Sequence, residues 1–332
     1  MGSRSSLLCA SLCVALGALA ACSGGASSSS TSTSGDTSST TSGSGGGGGA
    51  GGAPVDVRPP GVALCYTPLA DGHPATSAFW KAFGDGDREA RADAIAGLEA
   101  AVAEHPEEEE LALLLGLAHL WRVGEPLAAE VGDQGLFVKS ALAAKSNLET
   151  AYALCPTDHR IPAWLGVIQV NMGRAVMNQK TIDEGLATLQ KGIDHYPSFV
   201  LFSKLLVYAD QPASDPDFQE ALKAVADNVD ACAKTPLDPA CINSPGAAHN
   251  LEGAMVFLGD VFAKAGKKDE ALAFYQQGKG GDAFQGWSFK ALLDERIDTL
   301  DARIAASIDA DPANDPEVIW KSTEQCAVCH SR

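Results

Sequence analysis

From about Gly61 to Ile308 the chain is rich in Ala and Leu at helical spacing, with few runs of strict apolar–polar alternation. That pattern predicts helices and no sheet. The clearest unit is "MVFLGDVFAKAGKKDEALAFYQQGKG". Its spacing predicts two antiparallel helices. Small Gly259 and Ala271 permit close approach, Leu258, Phe262 and Tyr275 fill the seam, and Gly266 turns the chain. Weaker copies lie upstream. Leu115-Gly116 and Leu165-Gly166 repeat the Leu258-Gly259 pair. Second-helix runs recur at offsets 0, 4, 7 and 12: Ala94, Leu98, Ala101, Pro106; Ala144, Leu148, Ala151, Pro156; and Gly185, Leu189, Gly192, Pro197.

These spacings resemble the tetratricopeptide repeat over roughly Asp87 to Ala283. The resemblance implies an all-α solenoid of helical hairpins. Two departures are expected to form long inserted loops. Between Gly116 and Ala144 lie 16 residues more than between Gly259 and Ala271, and between Gly166 and Gly185 lie 7 more. The stretch "AFQGWSFKALLDERIDTLDARIAASI" predicts one closing amphipathic helix, with Trp287, Phe289, Leu292, Ile297 and Leu300 toward the stack. Pro312 and Pro316 stop it, so the tail beyond is expected as a loop or short turn laid over the body.

The N-terminal part follows different rules. Leu7 to Ala21 is apolar and small, preceded by Arg4, and too short to span a bilayer; it is placed like the core of a signal peptide. It ends Leu19-Ala20-Ala21-Cys22, which resembles a bacterial lipobox and implies that Cys22 carries lipid. The plainer alternative is an ordinary cleaved signal peptide. From Ser23 to about Pro54 the chain is almost wholly Ser, Thr, Gly and Ala. Such a stretch has nothing to bury and is expected as a disordered tether reaching on the order of 30 Å. The expected divisions are a signal peptide at 1–21, the tether at 22–60, a helical domain at 61–310 and a tail at 311–332.

Formal net charge is −18, which disfavours nucleic acid as a partner because the chain repels phosphates. The acidic run in "HPEEEELAL" suits a solvated helix N-terminus better than a docking patch.

Nine cysteines divide by place. Cys9 and Cys13 belong to the signal segment, Cys22 to the anchor, and Cys326 and Cys329 to the tail. Cys65, Cys155, Cys232 and Cys241 remain, an even number in an exported chain, with three pairings open. Cys232 and Cys241 bracket the Pro-rich "AKTPLDPA", which favours their pairing and leaves Cys65 with Cys155. Four buried free thiols is the alternative.

The tail reads "STEQCAVCHSR". Cys326, Cys329 and His330 make a C-x-x-C-H, which resembles the attachment motif of c-type cytochromes. The resemblance covers about six residues and implies covalent haem c: two thioethers, with His330 as proximal iron ligand. A redox C-x-x-C would sit in a thioredoxin-like fold, and no strand pattern precedes this one. Zinc would need further ligands at suitable spacing, and a plain structural disulfide is the blandest rival. With two residues after the motif, the helical body must cover any haem. The sixth ligand would come from His73, His105, His119, His159, His195, His249, Met172, Met177 or Met255. His119 aligns with Phe262 and Met255 precedes a Leu-Gly pair, so both are expected in the packing. His105 and His195 precede prolines and are expected outside. His249, before a helix for which Asn250 is a plausible N-cap, is the first choice; Met177 and Met172 follow.

The expected function is a lipid-anchored, envelope-located monohaem protein that transfers single electrons or recruits a redox or peptide-bearing partner. Alternatives are a haem-free interaction lipoprotein with a tail disulfide, and a small peroxidase-like enzyme with open iron. No Ser-His-Asp arrangement, P-loop or dinucleotide fingerprint is present.

Overall fold

The computed structural model describes Cys65, residues 72–234 and 249–309, residue 311, and residues 313–319 and 327–330; the side chains of 232–234, 327 and 330 are not described. The signal segment, Cys22, the tether, Cys241, Cys326 and the side chain of Cys232 therefore lie outside the described residues.

The described residues form an all-α structure. Its helices are α1 (Pro74–Gly84), α2 (Arg91–Glu104), α3 (Glu109–Gly124), α4 (Gln134–Leu154), α5 (Ile161–Ala175), α6 (Gln179–His195), α7 (Pro197–Tyr208), α8 (Pro216–Lys234), α9 (Asn250–Lys264) and α10 (Lys268–Lys279). A 3-10 turn (Phe284–Gly286), α11 (Lys290–Asp298), α12 (Leu300–Ser307) and the one-turn α13 (Ala327–His330) follow. Side-chain oxygens start three of the helices: Asp133 accepts from Leu136 N–H at 2.9 Å, Asn178 from Thr181 N–H at 3.3 Å and Asp215 from Phe218 N–H at 3.0 Å.

Three hairpin tips end in one geometry. Asp87 N–H donates to Ala82 O at 2.8 Å, Asn178 N–H to Gly173 O at 2.8 Å, and Lys267 N–H to Phe262 O at 2.9 Å. Each bond closes over a left-handed residue, Gly86 (φ 63°), Met177 (φ 53°) and Gly266 (φ 74°). Two of the three are glycines, as that conformation asks.

The seams follow the repeat pattern. A Cβ on Gly116 would lie 2.8 Å from Leu148 Cγ, and one on Gly166 would lie 2.5 Å from Leu189 Cγ. A Cβ on Gly259 would run into the Tyr275 ring. Farther along the same seam Gly173 faces Ile182, so seven residues forward on α5 is seven back on α6, and the pair is antiparallel. Ala94, Leu98 and Ala101, and their counterparts in α4, α6 and α10, are all buried. Burying one leucine of this kind contributes about 1.5–3 kcal/mol.

Two expectations are corrected. Of the 16 extra residues between Gly116 and Ala144, six widen the turn and ten lengthen α3 and α4. All 7 between Gly166 and Gly185 are helical, four on α5 and three on α6. Seven residues are nearly two turns of helix at about 3.6 each, so the added length keeps the seam in phase without a loop. The widened turn is fastened by buried Arg91, which donates to Glu125 O and pairs with the Glu130 carboxylate. The expected single closing helix is instead a 3-10 turn and two helices broken at Thr299. Leu293, not Leu292, is its fully buried leucine, beside Trp287 and Leu300.

Cys65 and Cys155 are joined in a disulfide, with Cα atoms 5.4 Å apart. The α7–α8 pair meets α9 through polar and aromatic contacts. Lys264 Nζ donates to Ala209 O at 2.9 Å and lies over the Phe218 ring, while Phe202 sits edge-on to Phe257.

Candidate functional site

The described residues of the terminal motif do not project from the fold. They lie in α13, which packs on α9. Four hydrogen bonds lead the chain there. Arg303 Nη2 donates to Glu317 O at 2.9 Å, and Ile319 N–H to Asp260 Oδ2 at 2.7 Å. Trp287 Nε1 then donates to Val328 O at 2.8 Å, and His249 N–H to Cys329 O at 3.0 Å. Val318, Ile319, Val328 and Cys329 are buried.

Asp260 is the hub. It is wholly buried, accepts from Tyr275 Oη at 2.7 Å, and pairs with Arg296 at 3.0 Å and Arg303 at 3.3 Å. A buried carboxylate demands such partners. Here they come from α10, α11, α12 and the tail, so satisfying one charge aligns four segments. Tyr275 is held in its neutral form by burial and by this carboxylate.

Cys329 rests against Gly253. A Cβ there would overlap its Sγ and lie 3.1 Å from Cys329 N. Only glycine permits the turn to sit so close. Burial, and after it the Glu252 charge, push the Cys329 thiol up to about 12. It is therefore protonated and unreactive in this seat.

His249 lies beside it. The sequence reading placed Asn250 as the N-cap; Asn250 is instead the first residue of α9, and His249 holds the cap position without a side-chain cap bond. The His249 ring is buried, its centroid is 6.3 Å from that of Trp287, and its Nδ1 has no hydrogen-bond partner. Burial lowers its pKa, so the ring is neutral with a lone pair to offer. Glu252, one turn on, is also buried, its pKa raised by burial. Its Oε2 has no partner and stands 3.9 Å from His249 Nδ1, beyond hydrogen-bond reach. Two unsatisfied buried polar atoms this close together are costly.

Among the other ligand candidates, Met177 is 82% exposed at a hairpin tip and Met172 packs half-buried within the α5–α6 hairpin. Neither is placed on the tail. His119 is buried in its seam and its pKa is lowered to about 4 by burial. Met255 is half-buried against the core, His195 is exposed and His105 half-exposed.

The donor chemistry of the site fits haem c. By sequence Cys326, Cys329 and His330 supply two thiols and an imidazole, and His249, bonded through its N–H to Cys329 O, adds a buried unpaired imidazole nitrogen. The seat of one sulfur runs the other way. Cys329 Sγ faces α9 at Gly253, so a thioether requires that side chain to turn out of its notch. Sequence reasoning missed Gly253, Glu252 and Asp260. Asp260 carried a signal, a lone acid within the apolar run "MVFLGDVF".

Compared with models of known families, with curated proteins and with solved structures, the chain matches none.

Proposed function

We propose that this chain is an exported, lipid-anchored protein on a tetratricopeptide-like stack of hairpins, with haem c attached at its tail. The observation that carries the reading is the buried, unpartnered His249 Nδ1 against the motif's own turn. Cys326 and Cys329 would hold the group by adding their S–H bonds across its vinyl groups. His330 and His249 would be the residues that ligate its iron. Haem supplies a one-electron iron couple whose potential the axial ligands set. The chain's own residues do the rest. Asp260 and Trp287 hold the tail on α9, and Gly253 leaves room for the turn. His249, kept neutral by burial, presents a lone pair.

In this reading Cys22 carries the anchor and the tether holds the body near the membrane of a bacterial envelope, where it passes electrons to a partner or recruits one. The acidic charge favours a basic partner and disfavours nucleic acid. The test is production with a c-type maturation system, followed by haem staining after denaturing electrophoresis. Stain lost in Cys326→Ala/Cys329→Ala, and a spectrum shifted in His249→Ala, are the expected results. For the anchor, Cys22→Ala should release the chain from membranes.

A second reading is supported by the seat of Cys329, which packs like a core side chain. The tail is then a haem-free clip closing an interaction scaffold. A colourless exported chain whose tail thiols alkylate after unfolding supports this reading over the first.

A further inference from the structure

Two histidine pairs lie outside the tail site, and their geometry separates them. His159 and His195 stack face to face, centroids 4.4 Å apart and planes 15° apart. Ring lone pairs lie in the ring plane, so stacked rings aim them side by side rather than at one point. His73 and His105 meet edge-on, centroids 5.8 Å apart and planes at 70°. Such rings can converge on a shared atom. A carboxylate completes that cluster: ligand atoms of His73, Glu104 and His105 all lie within 4.8 Å of one another.

The surroundings match metal ligation. His105 has Glu104 Oε1 at 4.0 Å from its Nε2 and Glu107 Oε1 at 3.9 Å from its Nδ1. One carboxylate therefore joins a coordinating Nε2, while the charge of the other, 3.9 Å from the opposite nitrogen, favours a proton there. Glu104 ends α2 and His105 is its C-cap, so the negative end of the helix dipole also favours a cation.

We propose that His73, Glu104 and His105 form a site for a borderline divalent cation of the zinc class, with water completing the shell. Two imidazoles and one carboxylate suit Zn²⁺, and disfavour Mg²⁺ and Ca²⁺, which prefer all-oxygen shells. The bound ion ties the start of α1 to the end of α2, where the chain enters the folded body. It also engages the helix cap. His73 Nδ1 accepts the Ala75 N–H at 3.1 Å, so Nε2 is the coordinating atom. Coordination there moves the ring proton to Nδ1 and removes the acceptor from Ala75.

The full chain bearing Cys326→Ser and Cys329→Ser, so that tail thiols take no part, is titrated with zinc chloride by calorimetry. One equivalent should bind, magnesium and calcium should not displace it, and the Ala75 amide resonance should move. His105→Ala should weaken binding about tenfold or more. His73→Asn, which keeps a capping oxygen, should do the same, and His159→Ala should leave affinity unchanged. Absence of zinc binding, or affinity in the His105→Ala and His73→Asn chains unchanged from the parent, overturns the proposal. Neither outcome bears on haem at the tail.

Discussion

The α5–α6 and α9–α10 hairpins are built on one seam and differ in what covers them. In both, a glycine of the first helix meets a large side chain of the second: Gly166 meets Leu189, and Gly259 meets Tyr275. The α5–α6 pair is flanked by further hairpin helices, α4 and α7. None of the side chains that α5 buries is charged, whereas α9 buries Glu252, Asp260 and Lys264. The α5 and α6 helices pack against each other by shape. The irregular cap and tail have no repeat partner, and they are held by buried charges that satisfy particular N–H and guanidinium groups. Shape alone tolerates substitution of like volume, but a buried charge does not.

The largest break in the comparison is Asp260→Ala. It leaves Arg296 and Arg303 without their shared carboxylate and should cost about 3–5 kcal/mol in urea denaturation. Limited proteolysis should then cut the tail first. An unchanged midpoint would mean that this carboxylate does not hold the cap.

Next is the acid sensitivity of His119, which stands where the last hairpin has Phe262. Its pKa falls from 6.5 unfolded to about 4 folded, through burial. Between those values the unfolded state binds more protons, so stability is full above pH 6.5 and falls as pH drops to 4. The loss is up to about 3 kcal/mol, read from melts across that window. His119→Phe should flatten that slope; an equal slope in both proteins would assign it to other groups.

Gly166→Ala should cost about 1–3 kcal/mol, because its Cβ meets Leu189 and the Gly185 carbonyl. Tail protection from protease should not change, which separates seam from dock. The smallest effect is a gain. Met177 occupies the left-handed position that Gly86 and Gly266 fill elsewhere. Met177→Gly should raise stability by about 0.5–1 kcal/mol in the same melts.

The seams were legible in the sequence because their offsets recur and each contact is local to a hairpin. The tip at Met177 was not, since its residue carries no glycine signal for the turn it makes. Nor was the helical placement of the 7-residue insertion, because length alone does not distinguish two helical turns from a loop. His249 was legible as a candidate from its place before a helix. Its neighbours were not: Gly253 and Glu252 meet Cys329 and Ala283 only after distant segments fold together.

The claim that the tail holds haem against α9 is tested most directly by the mass and spectrum of the exported, matured chain. The account predicts one haem retained after full denaturation, no alkylatable thiol at Cys326 or Cys329, and a spectrum that shifts in His249→Ala. A matured chain with both tail thiols free to alkylate after unfolding would contradict it.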